Sequence, residues 1–173
     1  MNKMNLKGLI RNIADFPKPG ILFRDITTLL KDKKAFKVAV DTLTDKFKDK
    51  KIDLVVAVEA RGFILGGAIA HKLNAGFVPV RKHGKLPSKT NSVTYSLEYG
   101  TDTLEMHHDA IRPSDKVLIV DDLLATGGTV KAVVNLVRQL KGKIVGIAFL
   151  IELTDLKGRE KLKGYPVYSL IKY

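Results

Sequence analysis

The chain has 173 residues, 45% apolar and 28% charged, the profile of one soluble globular domain that buries about 70% of its unfolded surface. It has no cysteine, which excludes a disulfide scaffold, a zinc-thiolate or iron–sulfur site and a cysteine nucleophile. The net charge of +12 admits nucleic acid, an anionic membrane surface or a phosphorylated small molecule as partner. Its lysines are scattered, and acids interrupt the densest cluster, Lys46 to Lys51, so the charge reads first as a solvated surface.

Leu6, Leu9, Ile10 and Ile13 recur at helical spacing, which predicts an opening helix. Phe16-Pro17-Lys18-Pro19-Gly20 breaks it, because proline lacks a backbone donor and fixes φ. Ile21-Leu22-Phe23 reads as a short extended piece. Asp32 is placed to cap a helix carrying Phe36, Ala39, Val40, Leu43 and Phe47 on one face. Leu54 to Val58 is apolar throughout, the sign of a strand buried on both faces. A helix follows over Phe63 to Leu73, then a strand over Phe77 to Val80. Val117 to Val120 is a third apolar strand, Thr129 to Lys141 a helix with a valine stripe, and Ile144 to Leu150 a fourth strand. Strands alternating with helices predict an α/β fold with a mostly parallel central sheet flanked by helices.

Between Arg81 and Asp115 the pattern changes. Arg81 to Asn91 is polar and basic, and Thr94 to Tyr99 and Leu104 to His108 alternate like two antiparallel strands. An irregular stretch of this length inside a compact domain usually has a function, which makes residues 81–100 a candidate lid. The longest apolar run, Ile144 to Ile151, is far short of the ~18 residues that span a bilayer. No secretory leader pattern opens the chain, so the reading is cytoplasmic, without a membrane partner.

The densest chemistry lies where the apolar strand Val117 to Val120 runs into Asp121 and Asp122. Leu123, Leu124, Ala125, Thr126, Gly127, Gly128 and Thr129 follow and lead into a helix. In open α/β sheets the crevice beyond the carboxyl ends of the strands is where ligands bind. Small residues admit an anion to the backbone amides, and the helix N-terminus offers unpaired N–H groups, so Ala125 to Thr129 should hold a phosphate. Acids beside a phosphate site suit sugar hydroxyls or a hydrated Mg²⁺. Neither the G-x-x-x-x-G-K-[ST] nor the G-x-G-x-x-G nucleotide motif is present. His107 and His108 are adjacent on a strand and point to opposite faces, so they do not share a metal.

This block resembles the phosphoribosyl pyrophosphate signature of the type I phosphoribosyltransferases, over 13 consecutive residues. Further stretches resemble the adenine-using branch of that family: Phe16 to Asp25, Val58 to Phe63, Arg81 to Pro87, Tyr95 to Gly100 and Glu152 to Glu160. The resemblance implies one phosphoribosyltransferase domain over residues 1–173, with a base-binding segment over 1–30 and a flexible lid hairpin over 81–100. It implies that Asp121 and Asp122 contact the ribose hydroxyls while Ala125, Thr126, Gly127, Gly128 and Thr129 hold the 5′-phosphate. It assigns pyrophosphate to Arg61, with the lid cations Arg81, Lys82 and Lys85 approaching it, and the adenine pocket to Leu22, Phe23 and Arg24. Glu98 is implied as the acid or base that handles the adenine proton. Mg²⁺ is the implied cofactor, held by substrate and water near Asp121 and Asp122, and a homodimer the implied assembly. The Ala60–Arg61 peptide is implied to be cis. Ala60 replaces a common serine, and His83 an arginine, which lowers the lid's charge.

The expected activity is transfer of the phosphoribosyl group to adenine, giving AMP and pyrophosphate in purine salvage. Two rivals differ in class or substrate. A regulator of this fold that binds DNA or RNA fits the charge, but 173 residues leave little room for a DNA-reading module. An enzyme for another base, such as xanthine, lacks support from Phe16 to Asp25 and Tyr95 to Gly100. No nucleic-acid partner is expected.

Overall fold

The computed structural model describes residues 4–96 and 100–173, which form two compact units, one ending at Thr42 and one running from Leu43 to Tyr173. In the first, the expected opening helix is a single 3₁₀ turn, Lys7–Leu9, followed by strand β1, Arg11–Ile13. The helical spacing misled because Leu6 and Ile10 alone are buried, and Gly8 weakens any helix at its centre. The strand wins because β1 pairs antiparallel with β2, Phe23–Asp25, in the register Arg11 with Asp25. Arg11 donates from Nε to Asp25 Oδ2 at 2.9 Å. The Thr27 N–H and then Arg11 hold the Asp25 carboxyl down at about 2. Helix α1, Thr27–Leu30, is one turn. Helix α2, Lys33–Asp45, starts as expected: Asp32 accepts the N–H groups of Lys34 at 2.9 Å and Ala35 at 3.0 Å.

The second unit carries strands β3, Leu54–Val58; β4, Gly76–Lys82; β5, Thr90–Ser96; β6, Thr101–His107; β7, Lys116–Leu124; β8, Lys143–Glu152; and β9, Val167–Lys172. Helix α3 is Arg61–Leu73 and helix α4 is Gly128–Gln139. The sheet order is β5-β6-β4-β3-β7-β8-β9. From β4 to β9 all neighbours are parallel, and β6 and β5 add on antiparallel. Residues alternate between the faces of β3. Val56 and Val58 join the core that includes Val130, Val133 and Val137 of α4. On the other face α3 packs so closely that a Cβ on Gly66 would lie 2.6 Å from the Ala57 Cβ.

Strand ends moved, and one strand was not expected. Strand β7 does not stop at Val120 but continues through both acids to Leu124, because its pairing with β8 persists to Leu124 and Glu152. Arg81 and Lys82 end strand β4 rather than start a loop, since they pair with Glu105 and Leu104 of β6. Strand β9, absent from the sequence reading, completes the sheet after two 3₁₀ segments, Thr154–Leu156 and Gly158–Leu162.

Candidate active site

Strand β3 hands over to helix α3 through Glu59 and Ala60, and the Glu59–Ala60 peptide is cis. The cis bond expected at Ala60–Arg61 thus lies one residue earlier, and Arg61 is the first residue of α3. That position aims the guanidinium at the neighbouring strand, with Arg61 Nε 2.8 Å from Asp122 Oδ2. The Asp122 N–H donates to Asp121 Oδ1 at 2.8 Å. Gly62 lets α3 approach this pair, since a Cβ there would stand 2.8 Å from Asp121 Oδ1. Burial raises the pKa of Asp121, and the adjacent Asp122 charge raises it further. Burial also raises Asp122, against the pull of Arg61. Two carboxylates near one guanidinium leave the cluster one positive charge short when both are ionised.

Beyond β7, Gly127 takes φ 80° and turns the chain into α4, whose first residue is Gly128 rather than Thr129. Only glycine enters this left-handed region cheaply, and the neighbouring backbone adds a second requirement: a Cβ on Gly127 would lie 2.5 Å from the Gly158 carbonyl oxygen. Arg61, Asp121, Asp122 and residues 123–130 line one cavity of about 190 Å³. Its lining includes the first turn of a 12-residue helix, whose N–H end suits an anion. Strand β5 reaches the same loop. The ring of Tyr95 lies 3.5 Å from where a Gly128 Cβ would be, and Thr129 Oγ1 donates to Tyr95 Oη at 3.4 Å. In the sequence Tyr95 stands out only as a member of the Tyr95 to Gly100 stretch.

Of the cations expected in the lid, Arg81 and Lys82 are engaged with acids. Arg81 donates from Nε to Glu59 Oε2 at 2.9 Å and from Nη1 to the Lys85 carbonyl at 2.9 Å. Glu59 Oε1 accepts the Lys82 N–H at 2.7 Å. Burial pushes the Glu59 carboxyl up, but the Lys82 N–H and Arg81 outweigh it and hold it below its ordinary value. Lys82 Nζ lies 3.0 Å from Asp102 Oδ2, which raises the lysine pKa through a hydrogen bond and its charge. His83, which replaces an arginine common in the family, has Nδ1 2.6 Å from Glu105 Oε1, and Gly84 N–H donates to Oε2 of the same acid.

Leu22, Phe23 and Arg24 belong to the first unit. Leu22 is exposed, Phe23 sits edge-on to Phe16 with ring centroids 5.1 Å apart, and Arg24 Nη1 donates to Asn12 Oδ1. Glu98, the residue implied as the proton carrier, lies outside the described residues with Leu97 and Tyr99. His107 and His108 hydrogen-bond separately to the carbonyls of Pro87 and Lys89. Among the described residues no group of three or more His, Cys, Asp or Glu side chains is placed to hold a metal ion, and no helix is long and apolar enough to cross a membrane.

Residues 26–172 match the family of the phosphoribosyl transferase domain. The chain is 63% identical to the adenine phosphoribosyltransferase of Clostridium kluyveri, covering 98% of this chain and 99% of that one. The chain belongs to the adenine phosphoribosyltransferase family. The adenine phosphoribosyltransferase of Halothermothrix orenii is 59% identical over the same shares of the two chains. The crystal structure of an adenine phosphoribosyltransferase from Thermoanaerobacter pseudethanolicus is similar over 97% of this chain and 98% of its own, with TM-score 0.95 and 55% identity. The Giardia lamblia enzyme, solved in complex with 9-deazaadenine, is similar over 98% and 96%, with TM-score 0.93 and 40% identity. The fold is that of the type I phosphoribosyltransferases, and as an adenine phosphoribosyltransferase the chain is a glycosyltransferase.

Proposed function

We propose that Arg61, Asp121, Asp122 and the loop from Ala125 to Thr129 form the phosphoribosyl pyrophosphate site of an enzyme that joins adenine to the ribose, giving AMP and pyrophosphate. The observation that carries this reading is one cavity holding a helix N-terminus, a small-residue loop, two carboxylates and a guanidinium. The loop amides and the start of α4 bind the 5′-phosphate. Asp121 and Asp122 accept the ribose hydroxyls. Arg61, with Arg81, Lys82 and Lys85, takes the charge that develops on the departing pyrophosphate. Leu22, Phe23 and Arg24 hold adenine. Glu98 exchanges the adenine proton as the ring nitrogen attacks.

The residues fit Mg²⁺ as the cofactor. Asp121 and Asp122 are hard oxygen donors that would hold the ion, and substrate and water would supply its remaining ligands. When bound, Mg²⁺ supplies further neutralisation of pyrophosphate charge. We further propose that the enzyme works in the cytoplasm as a homodimer, the assembly that the family resemblance implies. We read residues 1–173 as one functional domain. The test is consumption of phosphoribosyl pyrophosphate with Mg²⁺ and a panel of purine bases. Adenine should be the base consumed, with AMP as product. Turnover of hypoxanthine, guanine or xanthine in preference to adenine would overturn the assignment.

A further inference from the structure

The segment after β8 entered the sequence reading only as a matching stretch, without a role. In the structure it lies against the 125–129 loop. The Leu153 N–H donates to the Leu124 carbonyl at 2.9 Å. Gly158 is pressed flat on the loop: a Cβ there would fall on the Ala125 carbonyl oxygen and come within 3.0 Å of the Gly127 nitrogen. Two stretches of main chain touch, with no side chain between them.

What fixes Gly158 is its neighbour. Arg159 donates from Nε to Glu152 Oε1 at 2.9 Å and from Nη2 to Glu152 Oε2 at 2.5 Å, a fork-to-fork pair. Arg159 Nη1 also donates to the Val167 carbonyl at 2.9 Å, and Nη2 to Ser169 Oγ at 3.4 Å. Glu152 is the last residue of β8 and is paired in register with Leu124, and its side chain is only 6% exposed. The guanidinium therefore ties the chain at Gly158 to the ends of both β8 and β9. None of these atoms lines the cavity around Asp121 and Asp122.

We propose that Glu152 and Arg159 are positioning residues for the reaction: they hold the Gly158 main chain as the floor of the 125–129 loop and so set the shape of the 5′-phosphate site. The proposal rests on reading that loop as the phosphate site. A lysine at 159 keeps the charge but cannot form the fork or reach the same four acceptor atoms.

The test is steady-state kinetics and calorimetric titration with ribose 5-phosphate for wild type, Arg159→Lys, Glu152→Gln and Gly128→Val. A Cβ on Gly128 would lie 3.5 Å from the Ser96 carbonyl oxygen and the Tyr95 ring, so the valine variant is compared only after it shows a cooperative melting transition. Arg159→Lys and Glu152→Gln should raise KM for phosphoribosyl pyrophosphate by about 10–100-fold, as expected for a displaced binding loop. They should weaken ribose 5-phosphate in parallel and leave KM for adenine within about twofold of wild type. A merely structural role would move both Michaelis constants together, or neither, and either outcome overturns the proposal. If one variant loses its cooperative melting transition, the other decides. If Gly128→Val binds ribose 5-phosphate as wild type does, the phosphate-loop reading fails. If Gly128→Val loses binding while both pair variants retain it, the loop reading stands and the positioning role falls.

Discussion

Replacing Arg61 by methionine removes the guanidinium beside Asp121 and Asp122 while keeping a stem of similar length. Breaking a buried ion pair by deleting one partner costs about 3–5 kcal/mol, because the remaining charge is left uncompensated. Here the Asp122 side chain is 10% exposed but that of Arg61 is 34% exposed, so solvent screens part of the loss. The expected destabilisation at neutral pH is about 1–3 kcal/mol. Its pH dependence carries the sign. Burial already raises both carboxyl pKa values above 3.8, and losing Arg61 raises them further. Below the ordinary value of 3.8 both groups are protonated in folded and unfolded chains, and the variant loses no charge compensation. As pH rises through the raised folded values, the variant must bury an unbalanced charge or hold a proton that the unfolded chain releases, so its deficit grows. Urea unfolding at about pH 4.5 and about pH 8 should therefore show the larger gap from wild type at the higher pH. Adding Asp122→Asn should recover part of the loss. A gap equal at both values, or larger in acid, would refute Arg61 as the counter-charge of these acids.

Gly127→Ala should destabilise markedly, since it adds a positive-φ cost to a close approach to the Gly158 oxygen. Gly128→Ala, with ordinary van der Waals room, should melt within a few degrees of wild type by calorimetry. Glu98→Gln should lower kcat by about 10²–10⁴-fold while adenine affinity falls much less, and unchanged turnover would remove Glu98 as proton carrier. Asp25 has a folded pKa of about 2 against 3.8, so its stabilising contribution is complete above 3.8 and fades as pH falls toward 2. Asp25→Asn should therefore narrow the gap between stability near pH 5 and stability near pH 2.5, measured by urea titration. A gap as wide as in wild type would show that the Arg11 and Thr27 contacts do not hold that proton off.

The buried parallel strands were legible because apolar runs such as Leu54 to Val58 have one physical use, burial on both faces. The site was legible at Asp121 and Asp122 because acids continuing an apolar strand are rarely without purpose. The strand end was not, since pairing between β7 and β8 is a property of two segments and no single one encodes it. The opening helix failed for a related reason: four apolar residues fit a helical stripe, but the Arg11–Asp25 pair that makes the strand joins residues 14 apart. Gly158 escaped notice because its role is to have no side chain where another backbone passes, and one sequence alone carries no mark of that.

Arg61, Arg81 and Lys82 each face an acid of the same unit: Asp122, Glu59 and Asp102. An anion that takes one of these cations gains only the difference between two ion pairs, since a carboxylate is set free in exchange. For a chloride or a single carboxylate that difference is near zero. A chain of linked phosphates escapes the limit, because its second contact comes at high effective concentration once the first is made. The arrangement thus behaves as an ion exchanger stored in its internal-salt form. Such an exchanger would rank anions by the number of linked charges each can present at once, with chloride and single carboxylates last.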